Sequence, residues 1–299
     1  MNFNVTDRDY YLGFAFFPGI GPLRFKLLLE YFGNIKDAWN ASEKDLLTIN
    51  LGLKLTAGFS AFRRKFAVSD FVKTLERKQI YFLVLKDKEY PEMLTQIADP
   101  PIVLFFRGNI ERLLQMKNKV AVVGTRNMTD YGKRATIRIV SGLVESEVTI
   151  VSGMALGIDT VAHRTAIDYN GSTLAVLGTG IDIIYPAGNY HLYWKIVKEK
   201  GLVISEYPPG QTGNKMTFPA RNRIISGVSK GVVVVEGDRK SGALITAKFA
   251  LEQGREVFAV PGPITSVNSQ ASIYLMKNGA QIATDADDIV NELKIEKRY

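Results

Sequence analysis

No cysteine occurs anywhere in the 299 residues. Disulfides, zinc thiolate sites, iron–sulfur clusters and a cysteine nucleophile are therefore excluded, and nothing indicates an oxidising compartment. Long apolar runs are missing too, since none approaches the roughly 20 residues that span a bilayer. The start of the chain, with Asp7, Arg8 and Asp9, lacks the basic-then-apolar pattern of a secretory signal, so a cytoplasmic location is expected. Two phosphate-binding fingerprints fail as well. The apolar run 120–123 ends in Gly124-Thr125-Arg126-Asn127, without the second and third glycines of G-x-G-x-x-G, so a pyrophosphate cannot approach the backbone in the usual way and neither NAD nor FAD is expected. The stretch from Glu236 to Ala247 looks at first like a phosphate loop, but the Gly-Lys-Ser/Thr core of a Walker motif occurs neither there nor elsewhere. A nucleotide-hydrolysing motor is disfavoured, and no cofactor is expected.

What is present suits a globular protein of roughly two domains with a core of ordinary size, since 46% of residues are hydrophobic and 23% charged. Thirty-eight Lys and Arg stand against 30 Asp and Glu, for a net charge of +8, which raises the expectation of a polyanionic partner.

Residues 1–65 read as a small helical domain. An aromatic-rich segment at 9–17 is followed by Pro18-Gly19-Ile20-Gly21-Pro22, after which Leu23, Leu27 and Tyr31 continue at helical spacing until Gly33. Helix, Gly-rich turn and helix is the outline of a helix-hairpin-helix. Such a turn can face a phosphate, but Pro22 removes a donor and few basic residues lie nearby, which favours a turn that only packs the helices together. From about residue 66 the pattern changes. The runs 80–85 and 102–106 are strand-like and are expected to extend the edge of a main sheet that begins at 120.

From 119 to 262, apolar runs at 120–123, 148–151, 174–177 and 232–235 each end in small, polar or basic residues before a helix-like segment. Helices are expected at 131–147, 158–169, 190–200, 221–228 and 243–253, a further strand at 256–260 and a last helix at 285–293. Strands joined by helical crossovers give a mostly parallel sheet with helices on both faces, and ligands of such sheets sit outside the carboxyl ends of the strands. The chemistry-bearing clusters fall there. Arg126 presents a guanidinium beside the backbone of Gly124 and Thr125, a natural phosphate clamp, unless it pairs with Glu206 or Glu236. Ser152 and Gly153 open a small-residue turn whose N–H groups can face an anion, and Asp159 and His163 lie one helical turn apart. With no third ligand in sight, a hydrogen-bonded structural histidine is favoured there over a metal. The stretch from Pro208 to Gly227 delivers Lys215, Phe218, Arg221, Asn222 and Arg223 within nine positions of a Gly/Pro-rich loop. Basic side chains that reach phosphates, with a ring on which a base stacks, suit single-stranded nucleic acid. The alternative is a loop whose arginines brace strand-end carboxylates and whose Phe fills the core. Arg239 and Lys240 add two cations on the next turn.

Together, Val123-Gly124-Thr125-Arg126, Ser152-Gly153 through Gly157-Ile158-Asp159 and Ala162-His163, Gly178-Thr179-Gly180-Ile181-Asp182 with Tyr185-Pro186, Phe218-Pro219 with 221–227, and Ser241-Gly242 with Thr246-Ala247 resemble the DNA-processing protein A (DprA/Smf) family. The resemblance covers about 160 residues in order, and the turn at 18–21 matches the family's helical N-terminal domain. It implies an extended Rossmann-like domain over 66–293 that binds single-stranded DNA without catalysis. It also implies loading of the RecA recombinase during natural transformation, and a homodimer. By motif it assigns DNA contacts to Arg126, Lys215, Phe218, Arg221 and Arg223, with backbone donors from Ser152 and Gly153. The charged stretch 294–299 is expected to be a frayed tail in place of the winged-helix domain that many members carry. The competing enzyme reading is a phosphoribohydrolase-type fold, which requires a carboxylate shortly after Pro-Gly-Gly-x-Gly-Thr. Here Ser241-Gly242 occupies that turn and Thr246 is followed by Ala247-Lys248-Phe249, so the carboxylate is not in place.

Overall fold

The computed structural model describes residues 6–296. Six helices come first: α1 (Asp7–Phe16), α2 (Pro22–Phe32), α3 (Ile35–Asn40), α4 (Glu43–Thr48), α5 (Leu53–Lys65) and α6 (Val68–Arg77). A strand β1 (Tyr81–Val84), a short helix α7 (Glu92–Thr95), strand β2 (Val103–Gly108) and helix α8 (Ile110–Gln115) lead into the main alternation. That alternation runs β3 (Lys119–Val123), α9 (Asp130–Glu145), β4 (Thr149–Ser152), α10 (Ile158–Asp168), β5 (Thr173–Leu177), α11 (Tyr190–Lys198), β6 (Gly201–Ser205), α12 (Thr217–Gly227) and β7 (Gly231–Val234). It closes with α13 (Gly242–Glu252), β8 (Glu256–Ala259), α14 (Gln270–Lys277), β9 (Gln281–Ile282) and α15 (Ala286–Glu292).

The nine strands form one sheet in the order β1-β2-β6-β5-β4-β3-β7-β8-β9. Every pairing from β6 to β9 is parallel, while β1 with β2 and β2 with β6 are antiparallel. The central strands β4 to β7 are buried along their whole length, which is why they read as unbroken apolar runs: a parallel sheet is covered on both faces. Successive residues feed opposite faces. Val120 and Val122 pack with α9, α10 and α15, whereas Ala121 and Val123 pack with α12, α13 and α14. The chain leaves β3 toward β4 on one side and returns to β3's other flank as β7, so the loops after β3 and β7 diverge and open a crevice at this switch point.

The N-terminal helices pack on the same face as α11. Tyr11, Phe14, Trp39 and Phe59 belong to one buried cluster with Phe105, Leu177, Val203 and Tyr193. The turn at 18–22 is closed by Arg24, whose guanidinium donates to Gly19 O at 2.6 Å, and Ile20 is buried. Helical structure extends past residue 66: α6, in a stretch for which no element was expected, buries Leu75 in the α1 cluster. Nor are residues 294–296 loose. Ile295 is buried against α9 and α15, and its N–H donates to Val290 O at 3.0 Å. Residues 297–299 of the expected tail, and 1–5 of the expected helical domain, lie outside the described residues.

Candidate nucleic-acid interface

The sequence singled out the carboxyl ends of the central strands, and the fold gathers them around a crevice of about 300 Å³ lined by Gly124, Thr125, Arg126, Phe218, Arg221 and Lys240 among others. Its wall is built by backbone. A Cβ at Gly124 would lie 2.5 Å from Ile158 and 2.9 Å from Glu236 O, so only glycine lets β3, β7 and α10 close up here. Thr125 N–H donates to Glu236 O at 2.8 Å, and Thr125 O accepts from Ile158 N–H at 3.2 Å. Both backbone polar groups of Thr125 are thus consumed in joining elements, and what projects outward is the Arg126 side chain, which is exposed. Neither acid weighed as its alternative partner takes it. The Glu236 carboxylate accepts from Thr129 N–H and Oγ1 at 2.9 and 2.6 Å, capping α9, and Glu206 is engaged elsewhere. Arg126 instead lies over the Phe218 ring, 6.0 Å from its centroid, within cation–π range.

Phe218 sits in a seat made by two missing side chains. A Cβ at Gly178 would come within 2.7 Å of the ring, and one at Gly213 within 2.6 Å. The preceding loop is pinned: Gly180 N–H donates to Gln211 O at 2.7 Å, and Gly210 N–H donates to Asp182 Oδ1 at 2.7 Å, while Lys78 holds Asp182 Oδ2 at 2.7 Å. Helix α12 begins at Thr217, four residues before the expected start. Pro219 falls in its first turn, where a missing N–H costs nothing, and Asn214 Oδ1 accepts the N–H groups of Met216 and Thr217 at 2.8 and 3.1 Å. Lys215 is exposed in the approach to this turn. Tyr185, which sequence reasoning did not place in the site, completes it. Half exposed after β5, its ring stands 5.1 Å from that of Phe218 at 35°. An aromatic residue shortly after Gly178-Thr179-Gly180, at the mouth of a strand, was the available signal.

Five of the expected contact residues point inward instead. Ser152 is buried and its hydroxyl donates to Val122 O at 2.7 Å. Gly153 N–H donates to Asp159 Oδ2 at 3.1 Å, joined there by Ala155 N–H at 3.2 Å, so the small-residue turn spends its donors on an internal carboxylate rather than holding them toward an external anion. Arg221 is buried beneath Arg126. Its Nη1 donates to Gly153 O at 2.6 Å and also to Val176 O, and its Nε to Asn222 Oδ1 at 3.1 Å. Burial pulls its pKa down to about 10, against the attraction of Asp159. Arg223 leaves the crevice altogether: it makes a two-pronged pair with Glu206 at 2.6 and 2.7 Å and reaches Asp99 at 2.8 Å. Burial works against its charge, yet the two carboxylates outweigh it and hold its pKa above the ordinary value. Asn222 is buried as well and its Nδ2 donates to Gly242 O at 3.2 Å, tying α12 to the start of α13.

Asp159 and His163 do not meet a common ligand. His163 is fully buried with Nδ1 2.7 Å from Thr173 Oγ1. That hydroxyl donates to Ile150 O at 2.8 Å, so His163 carries its proton on Nδ1 and Thr173 accepts it. This is the hydrogen-bonded structural histidine favoured by the sequence. Arg239 and Lys240 are both exposed on the β7–α13 turn, and Lys240 faces the crevice opposite Arg126, whereas Arg239 is absent from its lining.

A family model for DNA recombination-mediator protein A matches residues 81–294. Protein Smf of Synechocystis is 38% identical over 291 residues, 96% of this chain and 73% of its own length. The X-ray structure of DNA processing protein A from Streptococcus pneumoniae superposes with a TM-score of 0.82 at 36% identity, covering 97% of this chain and 99% of that one. DNA processing protein A from Helicobacter pylori, whose structure is described as showing its single-stranded DNA binding mode, superposes with a TM-score of 0.65 at 30% identity over 74% of this chain and 98% of that one. With the matched residues running from β1 to the end of α15, the chain belongs to the DNA recombination-mediator protein A family.

Proposed function

We propose that the chain binds single-stranded DNA at the crevice where β3 and β7 part, and that it hands the strand to a RecA-type recombinase as a mediator without catalysis, working as a homodimer in the cytoplasm. The observation that carries this reading is the Arg126 guanidinium held over the Phe218 ring with Tyr185 beside it. A charged fork and two rings at one mouth offer a phosphate partner and a stacking platform together, which a duplex with its bases paired inside cannot exploit. Lys215 and Lys240 extend the positive rim, and family membership with the single-strand binding described for the Helicobacter protein supports the assignment. The buried Arg221, Arg223, Asn222, Ser152 and Gly153 form the scaffold under that rim and not its contact surface.

The test is a titration with labelled single-stranded and duplex oligonucleotides at several salt concentrations. Arg126→Ala should weaken single-strand binding roughly tenfold or more, since hydrogen bonds to a charged group contribute about 1.5–3 kcal/mol, and should flatten the salt slope by about 0.7. Phe218→Ala should weaken it by about 1–3 kcal/mol per stacked base while leaving the slope in place. Equal affinity for duplex, or unchanged affinity and slope in both variants, would sink the proposal.

A further inference from the structure

A second groove adjoins the crevice on the α9–α10 side. It measures about 410 Å³, with Met128, Lys133 and Ile137 along one wall and Leu156, Thr160 and Arg164 along the other. Lys133 and Arg164 are exposed, and neither forms an ion pair or a side-chain hydrogen bond among the described residues. The one carboxylate in the lining, Asp168, is matched by Lys195 at 3.0 Å, so the groove keeps a positive balance.

The groove approaches the crevice at Leu156. Leu156, 48% exposed, lines it and also lines the small cavity beneath Arg126, Tyr185 and Phe218. The following Gly157 adopts φ +77°, and a Cβ there would lie 2.3 Å from Thr125 O. The Leu156-Gly157 turn is therefore pressed against the backbone that carries Arg126, and the Leu156 side chain borders both depressions. An exposed leucine flanked by unmatched cations has the character of a base contact between phosphate contacts.

We infer that the strand bound at Arg126 and Phe218 continues across Leu156 into the α9–α10 groove, where Lys133 and Arg164 each neutralise one further phosphate. The inference rests on the single-strand reading of the crevice and adds the direction of the strand and a longer site. It predicts an effect of these residues that depends on oligonucleotide length, because a short strand fills the crevice and ends before reaching them.

The experiment uses the full chain and oligothymidylates of about 6, 12 and 20 nucleotides, a range that brackets typical single-strand site sizes. Lys133→Ala/Arg164→Ala should bind the shortest strand like the parent. It should bind the longest about tenfold more weakly, with a salt slope shallower by about 1.4 at roughly 0.7 per phosphate. The same loss at every length, or no loss at any, overturns the inference. Arg126→Ala run in parallel separates the two claims. Weakening at all lengths upholds the crevice as the anchor; if that variant binds all lengths normally, the crevice reading falls and the continuation with it. Both replaced side chains are exposed, so unchanged urea unfolding of the double variant confirms that binding alone was altered.

Discussion

The rim and the floor of the strand-end crevice are both rich in arginine, yet their arginines are different physical objects. On the rim, Arg126 is exposed and, among the described residues, its side chain meets the Phe218 ring without an ion pair or hydrogen bond. In the floor and beside it, Arg221 and Arg223 are 5% and 4% exposed and donate to backbone carbonyls, to the Asn222 amide oxygen and to carboxylates. A buried guanidinium has already traded water for fixed partners and has little left to offer a phosphate. An exposed one keeps its donors free but contributes little to the fold. Stability and binding are thus divided between neighbouring residues of the same type, and substitutions on the two levels should separate them.

The largest effect belongs to the lower level. Arg223→Ala would leave Glu206, whose side chain is 12% exposed, without its two-pronged partner, and breaking a buried pair from one side costs about 3–5 kcal/mol. The lower end applies here because Asp99 is 36% exposed and regains water. Urea denaturation should show this loss, while Arg126→Ala stays within about 0.5 kcal/mol of the parent, as exposed positions usually do. Equal stability of the two variants would erase the distinction between floor and rim.

A somewhat smaller effect sharpens the contrast through protons. Burial drives the pKa of His163 down to about 3, below its unfolded value near 6.5. Between these values the unfolded chain binds a proton that the folded chain refuses, so the contribution is complete above about pH 6.5 and is lost as pH falls toward 3. At pH 5 the loss is about 2 kcal/mol. Comparing urea midpoints at pH 8 and pH 5 for the parent and His163→Gln isolates it: the parent should lose more on acidification than the variant. The interior behind the floor then responds to protons, where the rim responds to salt.

Much of this arrangement was written locally. Unbroken apolar runs that stop at Gly, Ser or Thr announce parallel strands because each strand must be covered on both faces, and their ends announce the crevice. Arg126 and Phe218 could be placed near one another from that alone. What could not be read is which arginine meets which acid. Arg221 and Arg223 are two residues apart with the same side chain, but Asp99 reaches Arg223 from 124 positions away in sequence and Glu206 from 17. That pairing is decided by β2 and β6 lying side by side, a long-range fact. For the same reason Glu236, weighed only as an alternative partner for Arg126, turns its carboxylate to Thr129 and caps α9. Helix α6 was missed because it fully buries only Leu75 and precedes the strand-like run at 80–85, so the stretch before that run drew no assignment. Tyr185 escaped because its partner Phe218 is 33 positions later and meets it only across the sheet end.

The finest test of the rim concerns shape rather than charge. Arg126→Lys keeps a cation at the mouth of β3 but replaces a flat fork by a compact ammonium. A phosphate sees nearly the same charge in both, so the salt slope should not change, since it counts neutralised phosphates and not their geometry. What is lost is the second prong and the face laid over Phe218, a cation–π contact that contributes about 0.5–1 kcal/mol at an exposed site. Affinity for single strands should therefore fall only about two- to fivefold, with most of the fall in faster release as measured by stopped-flow dilution. If the lysine variant matched the alanine variant in both affinity and slope, charge would not be what Arg126 supplies, and the ring beneath it would have to be regarded as packing for the guanidinium alone. If it matched the parent, the fork would be dispensable and the stacked pair of Arg126 and Phe218 would be a consequence of crowding at the sheet end rather than a device for holding DNA.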